Sequence, residues 1–233
     1  MEQARYTKNK TWMVKEMVDL SYPIDANTPI YPGDPTPRVA SLTTIESHGY
    51  NMVEMHVGSH VGSHVDAPFH TWSQGNPIDH IGLQHFFGPL VIIACMSKHP
   101  GEAIALQDVK AYEAQIQENT ILVFRTDWDK QWGKDDFFRH PYVLPEVVSY
   151  FLGQGVKTFG IDAINIDSPE DGSFPVHLLV AQNNGVIIEN LCGLEAMNQE
   201  KNGIWYLAAF PLKVAGADGA PCRAVAILMD TNP

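Results

Sequence analysis

The chain is poor in basic residues and in cysteine, and each shortage excludes a class of function. Fifteen lysines and arginines stand against 27 acidic residues, which gives a formal net charge of −12. A surface of this sign repels phosphate backbones and anionic lipids, so we expect neither nucleic acid nor a membrane as a partner. The three cysteines are widely spaced and form no C-x2-C pair. They are typical of structural thiols in a reducing compartment.

Long apolar segments, linkers and fixed-period repeats are also missing. The first ten residues are polar, with no apolar signal-peptide core after them, and no apolar run has the length that crosses a bilayer. The 233 residues are 45% hydrophobic, enough to bury one large core. We therefore expect a soluble cytoplasmic protein with one domain over residues 1–233, in which 1–15 form a loosely ordered N-terminal extension.

Apolar runs of strand length outnumber helical stretches and alternate with them, which favours a mixed α/β domain. Residues 22–37 contain five prolines and a Pro-Gly-Asp turn and are predicted to form a loop. The predicted strands are Met17–Leu20, Leu90–Ala94, Ile121–Phe124, Thr158–Ile161, Val186–Ile188, Ile204–Ala208 and Ala224–Leu228. The predicted helices are Leu106–Gln117, Pro145–Gly153, Phe174–Gln182 and Leu191–Asn198.

The most informative segment is His60-Val-Gly-Ser-His64-Val-Asp66-Ala-Pro-Phe-His70, which has the spacing H-x3-H-x-D-x3-H. Imidazoles and carboxylates are ligands of zinc, manganese, iron and related divalent metals. In a straight strand His60 and His64 would lie roughly 13 Å apart, too far for one metal. The chain must therefore bend between them, and Gly62 permits such a bend. We interpret the segment as a catalytic metal site.

Further ligands must come from elsewhere in the chain. Glu189 ends an apolar strand and stands twelve residues after His177; a buried glutamate is rare unless it is paired or bound to metal. The spacing suggests this pair without fixing it. His56 continues the histidine register, but we treat it as a neighbour of the site because no aspartate follows it at the same spacing as Asp66 follows His64.

The motif resembles the pattern H-x-G-T-H-x-D-x-P-x-H of the cyclase family, which includes bacterial kynurenine formamidases and isatin hydrolases. Ser63 replaces the usual threonine and keeps its hydroxyl. Asp19-Leu-Ser-Tyr-Pro, Tyr31-Pro-Gly-Asp34, Phe159-Gly-Ile-Asp162 with Asp167-Ser-Pro169, and the Glu189-Asn-Leu segment resemble further parts of the family. The resemblance extends from about Val18 to Leu228 and implies a swivelling β/β/α domain, a central mixed sheet flanked by helices, assembled as a homodimer or a tetramer.

The resemblance also implies roles for individual residues. His60, His64 and Asp66 would hold one metal, and His177 a second. Asp66 and Glu189 would bridge the two ions, with zinc or manganese as the metal and one or two ions per subunit. His70 would donate and accept the proton.

The expected activity is metal-dependent hydrolysis of a small aromatic amide. The first candidate is the cleavage of N-formylkynurenine to kynurenine and formate, and the alternative is the opening of the isatin ring. Kynurenine formamidases usually carry tryptophan before Pro-Gly-Asp, where it contacts the substrate. This chain has Tyr31 there, so the aromatic platform differs and the choice of substrate stays open.

Two other classes of function remain as alternatives. His64, Asp66 and His177 imitate the two-histidine, one-carboxylate triad of non-haem iron oxygenases. That interpretation leaves His60, His70 and Glu189 unexplained. A non-catalytic metal or ligand sensor is the third interpretation, and the presence of His70 beside a full ligand set argues against it.

Overall fold

The computed structural model describes residues 13–197 and 203–230. Its strands are β1 (Val14–Asp19), β2 (Arg38–Thr43), β3 (Met52–His56), β4 (His64–Asp66), β5 (Phe87–Ala94), β6 (Ala103–Ile104), β7 (Ile121–Arg125), β8 (Tyr142–Val143), β9 (Thr158–Ile161), β10 (Val186–Glu189), β11 (Ile204–Pro211) and β12 (Gly219–Met229). The α-helices are α1 (Ile45–His48), α2 (Leu106–Val109), α3 (Pro145–Leu152) and α4 (Pro175–Gln182). Short 3-10 helices cover Pro68–His70, Ile78–His80, Leu83–His85, Lys110–Gln115, Trp128–Gln131, Asp135–Arg139 and Leu194–Ala196.

Eight strands form one mixed sheet in the order β1-β12-β11-β5-β7-β9-β10-β4. The sheet closes into a barrel because the first residues of β12 pair with β4, while its later residues pair with β1 on the same side. The pairs β5–β7, β7–β9 and β9–β10 are parallel, and the remaining pairs of this sheet are antiparallel. The closure places β4 between β10 and β12, in the middle of the fold.

Alternate residues of the strands bury two separate cores. In β7, Ile121 and Val123 face the interior of the barrel, whereas Leu122 and Phe124 belong to an outer core. That outer core is completed by buried residues of α3 and α4, such as Phe151. Because successive side chains of a strand point to opposite faces, a barrel strand that is covered on both faces becomes almost continuously apolar.

The predicted mixed α/β fold, with a central mixed sheet flanked by helices, is confirmed. All seven predicted strands are present, and α3 and α4 match two of the predicted helices within a residue or two. The predicted loop 22–37 contains no helix or strand. No helix among the described residues is long and apolar enough to cross a membrane.

Three local predictions need correction. The helix predicted over residues 106–117 is α-helical only in α2 and continues as a 3-10 helix to Gln115. The helix predicted over residues 191–198 is wrong: only a single 3-10 turn forms, since Gly193 enters it with a left-handed φ of 67°. The predicted N-terminal extension, 1–15, lies mostly outside the described residues, and its last two residues belong to β1.

Candidate metal centre

Strand β4 carries two of the predicted ligands into the protein on one face. Val65 points into the barrel core, so His64 and Asp66 point out of the barrel on the opposite face. The antiparallel register places His64 directly opposite Glu189 of β10. The Nε2 atom of His64 lies 3.2 Å from Oδ1 of Asp66 and 3.6 Å from Oε2 of Glu189. Glu189 is therefore buried, although it stands at the end of β10, because β10 pairs with β4 there.

Helix α4 supplies the fourth member of the group. His177 stands in its first turn, and its Nε2 atom lies 3.3 Å from Oδ2 of Asp66 and 3.4 Å from Oε1 of Glu189. Asp167 holds this end of the helix, because its carboxylate accepts hydrogen bonds from the backbone N–H groups of Val176 and His177 at 2.8 and 3.0 Å. The same carboxylate lies 2.7 Å from Nδ1 of His177 and fixes the ring.

The bend predicted between His60 and His64 is present. Gly62 has a left-handed φ of 62°, so the chain turns there before it enters β4. The turn brings Nδ1 of His60 to 2.7 Å from Oδ1 of Asp66. Gly219 at the start of β12 makes room for the ring, since a Cβ atom there would lie 2.8 Å from Cε1 of His60.

His70 follows β4 in the turn Pro68–His70, and its ring centroid lies 4.0 Å from that of His60. Its side chain is 32% exposed, so it is the most accessible histidine of the cluster. The Nδ1 atom of His70 lies 3.1 Å from Oδ2 of Asp218, and Nε2 of His60 lies 2.9 Å from the same oxygen. Asp218 is separated from these histidines by 148 and 158 residues.

Each histidine near Asp66 is oriented by a second acceptor behind it. The outer partners are Asp218 for His60, the Gly62 carbonyl at 2.8 Å for His64, and Asp167 for His177. Such outer acceptors are typical of metal-binding histidines, because they fix the ring and the tautomer.

The two buried carboxylates have opposite electrostatic environments. Burial opposes ionisation of Asp66, but His64, His177 and His60 outweigh it and hold the pKa of Asp66 well below its ordinary value. Burial and the negative charge of Asp66 raise the pKa of Glu189 to about 8. Burial alone would lower the pKa of His60, but hydrogen bonds to Asp218 and Asp66 raise it to about 10. Without a cation, protons balance the charge of this cluster.

The residues fit a divalent metal. The Oδ2 atom of Asp66 is buried and has no hydrogen-bond partner, although Nε2 of His177 lies 3.3 Å away. A buried polar atom without a partner is costly unless an ion or water binds it. Two groups of potential ligand atoms, each within 4.8 Å of one another, share Asp66. They are His60 with His64 and Asp66, and Asp66 with His177 and Glu189.

The cluster opens into a cleft of about 410 Å³. Its outer wall carries Tyr31 from the proline-rich loop and Phe174, whose ring centroids lie 6.1 Å apart. The Phe174 ring also lies 5.9 Å from that of His177. The cleft therefore combines a buried cluster of imidazoles and carboxylates with an aromatic entrance.

All seven predicted site residues line this one cleft, whereas His56 does not. They are Tyr31, His60, His64, Asp66, His70, His177 and Glu189. Sequence reasoning missed Asp167, Asp218 and Phe174. Asp167 stood in a segment already noted for its resemblance to the family, and its position shortly before a predicted helix could have suggested a role at the helix start.

The family model described as "Putative cyclase" matches residues 18–168. The chain belongs to this family. Among curated relatives, a kynurenine formamidase of Bacillus cereus is 28% identical over 213 residues, which are 90% of this chain and 96% of that protein. A kynurenine formamidase of Bordetella pertussis is 27% identical and covers 91% of this chain and 98% of that protein.

Solved structures give the same result. An isatin hydrolase bound to the product analogue thioisatinate has a TM-score of 0.83 and 26% identity, over 91% of this chain and 92% of that one. A potential metal-dependent hydrolase with cyclase activity has a TM-score of 0.73 and 25% identity, over 94% of this chain and 99% of that one. The comparisons confirm the predicted family, and with it a metal-dependent amidohydrolase.

Proposed function

We propose that this amidohydrolase cleaves the formamide bond of N-formylkynurenine to give kynurenine and formate. The observation that carries the proposal is the juxtaposition of a buried ligand cluster with an aromatic entrance in one cleft. The kynurenine formamidases that align over nine-tenths of this chain support the choice of substrate.

Five side chains would hold the metal, zinc or manganese, as one or two ions. They are His60, His64, Asp66, His177 and Glu189. When bound, a divalent cation polarises an amide carbonyl and lowers the pKa of a coordinated water toward about 7. Asp66 belongs to both groups of ligand atoms, so it would help to hold an ion in either group.

His70 is the proton carrier in this proposal. It lines the cleft, it is partly exposed, and it is not needed to complete either group around Asp66. An imidazole can both accept and donate a proton, so this side chain can take a proton from water and give it to the leaving amine. We expect His70→Ala to lower kcat by about 10²–10⁴-fold with the metal still bound. Near-normal turnover in this variant would refute the assignment.

Tyr31 and Phe174 would hold the aromatic ring of the substrate. Burial and the nearby carboxylates of Glu189, Asp167 and Asp34 raise the pKa of Tyr31, so its hydroxyl stays neutral and can donate a hydrogen bond. Phe174 supplies an apolar face across the entrance. Aromatic pairs contribute about 0.5–1.5 kcal/mol beyond the area they bury. We therefore expect Tyr31→Ala to raise KM more than it lowers kcat.

Isatin is the second candidate substrate, and the similarity to an isatin hydrolase over the whole cleft-forming fold supports it. Both compounds present an aryl amide next to a second carbonyl. The test compares the two substrates with protein that has been stripped by a chelator and reloaded with zinc or manganese. Higher kcat/KM for N-formylkynurenine supports the first proposal, and higher kcat/KM for isatin replaces it. Oxygen uptake with ferrous iron would instead favour the oxygenase.

We further propose a homodimer or tetramer in the cytoplasm. The hairpin of β2 and β3 pairs with no other strand among the described residues. It exposes apolar side chains of Leu42, Val53 and Met55, and contiguous exposed apolar groups are typical of protein interfaces. The free cysteines agree with a reducing compartment. Sedimentation of wild-type protein and Val53→Glu would test the assembly, and a wild-type monomer would refute it.

A further inference from the structure

We propose that Asp218 is a positioning residue that orients both a metal ligand, His60, and the proton carrier, His70. The inference rests on the proposed function of these histidines. One carboxylate oxygen, Oδ2, lies 2.9 Å from Nε2 of His60 and 3.1 Å from Nδ1 of His70. The other, Oδ1, accepts a hydrogen bond from the Ser59 hydroxyl at 2.8 Å.

The chemistry of the carboxylate fixes which nitrogen of each ring is free. An ionised carboxylate has only acceptors, so both imidazole nitrogens that face Asp218 must carry hydrogen. His60 then has only Nδ1, which lies 2.7 Å from Asp66, left to bind a metal, and this nitrogen would release its proton when a metal binds. His70 keeps Nε2 for proton exchange with the substrate. Asp167 holds His177 by the same kind of contact, at 2.7 Å from Nδ1.

A shared oxygen also fixes the two rings relative to one another. His60 lies in a loop, and His70 lies in a 3-10 turn of three residues with a partly exposed side chain. Neither element would hold its ring by itself. A misplacement of about 1 Å at a reacting centre can cost 10²-fold in rate.

The backbone around Asp218 is built to hold this position. Its carbonyl accepts the N–H of Ala67 at 2.9 Å, and the next residue, Gly219, pairs with Asp66 in the barrel ladder. Asp218 therefore sits where β12 joins the metal-bearing strand β4. The side chain is nevertheless 37% exposed, so a small solute can reach its place.

The first test measures metal affinity and kinetics separately. In Asp218→Ala we expect zinc or manganese affinity, measured by chelator competition, to fall by about 10–100-fold. At saturating metal, kcat should fall by about 10–100-fold as well, with KM nearly unchanged. Asp218→Asn keeps acceptor oxygen but loses the charge, and should lie between Asp218→Ala and the wild type.

A matched control separates orientation of the rings from general loosening of the loop. Asp79 accepts the N–H of Gly216 at 2.9 Å, two residues before Asp218, and does not line the cleft. Asp79→Ala loosens the same loop without removing the carboxylate from His60 and His70. We expect its metal affinity and kcat to stay within about twofold of the wild type. An equal loss in Asp79→Ala and Asp218→Ala would overturn the proposal.

Chemical rescue provides the decisive measurement. Acetate should restore part of the activity of Asp218→Ala, relative to sodium chloride at the same ionic strength, and should not restore that of His70→Ala. If neither amide is hydrolysed by the wild type, the proposed function fails, but a weakened metal affinity of Asp218→Ala still supports orientation of His60. Unchanged metal affinity together with unchanged kcat in Asp218→Ala would refute the inference.

Discussion

Residues 56–64 contain the five-residue string His-Val-Gly-Ser-His twice, with His60 shared, and the two copies have opposite environments. His56 opens the first copy at the end of strand β3, where its side chain is 63% exposed and faces Glu54 at 3.4 Å. His64 closes the second copy, is 3% exposed and faces Asp66 and Glu189. The amino-acid sequence is the same in both copies. The residues that surround each copy in the folded protein therefore decide which copy forms the candidate metal site.

The difference arises from strand pairing. Strand β3 pairs only with β2 among the described residues, so its side chains meet solvent. Strand β4 lies between β10 and β12 and is wholly buried. Burying an imidazole or a carboxylate without a partner is unfavourable. The buried copy therefore needs groups of opposite charge or a cation next to it. The exposed copy has no such requirement.

The largest expected contrast is between His64→Ala and His56→Ala, the two outer histidines of the repeat. Loss of His64 removes a ligand from the buried cluster, and we expect kcat/KM to fall by about 10³-fold or more, equivalent to several kcal/mol of lost stabilisation of the transition state. Loss of His56 should change kcat/KM by less than about twofold. The measurement is steady-state hydrolysis of N-formylkynurenine together with metal content. A comparable loss in both variants would break the contrast.

Removal of the metal should make the stability of the fold depend on pH, through groups in the buried cluster. The pKa values of Glu189 and His60 in the folded, metal-free protein are raised to about 8 and about 10, from 4.5 and 6.5. The folded state therefore binds more protons than the unfolded state, and its stability falls as the pH rises from 6.5 to 8. We expect a loss of about 2–4 kcal/mol over this window.

Urea unfolding of chelator-treated protein at the two ends of the window measures this loss. A bound metal replaces the protons as counter-charge, so the slope should be smaller in the reloaded protein. His56→Ala should keep the wild-type slope, because the His56 side chain is exposed and lies outside the buried cluster. Metal-free protein whose stability is constant or rises between these pH values would contradict the assignment of charge in the cluster.

The sequence was sufficient for those parts of the site that lie close together along the chain. The spacing from His60 to His70 required a bend, and Gly62 has the left-handed φ that provides it. The apolar runs predicted the barrel strands because period and length are local properties. The burial of Glu189 was predictable as a conflict between its charge and its apolar strand.

Asp218 and Phe174 could not be predicted in the same way. Asp218 stands in an Ala-Asp-Gly sequence that is typical of an exposed turn, and closure of the barrel brings it to the histidines from 148 residues away. Phe174 was predicted as the first residue of a helix, but it precedes α4 with a left-handed φ of 50°. Tertiary contacts override local propensity at both positions, so no local pattern reports them.

The two serines of the repeat give a smaller contrast in stability. The Ser63 hydroxyl is buried, donates to the Asn190 carbonyl at 2.7 Å and accepts the Tyr22 N–H at 3.0 Å. Ser63→Ala leaves both backbone groups without this partner and should lower the free energy of unfolding by about 1–3 kcal/mol. Ser59 makes one partly buried hydrogen bond to Asp218, so Ser59→Ala should cost about 1 kcal/mol or less. Urea denaturation at saturating metal compares them, and equal losses would refute the distinction.

Gly58 and Gly62, the glycines of the two copies, should differ least in their effect on stability. Gly62 has a φ of 62°, and a Cβ atom there would lie 3.2 Å from Cγ1 of Ile24, whereas Gly58 needs no left-handed φ and meets Pro35 at 3.3 Å. A left-handed non-glycine residue costs roughly 1–2 kcal/mol, so Gly62→Ala should destabilise the fold by about that amount and Gly58→Ala by less. The Gly62 carbonyl also accepts from Nδ1 of His64, so strain at this turn should reach the metal site. Gly62→Ala should therefore weaken metal affinity, and Gly58→Ala should not. Equal losses of stability in the two variants, with metal affinity unchanged in both, would contradict this expectation. In that case the turn at Gly62 does not position the ligands, and only the side chains of the second copy contribute to the metal site.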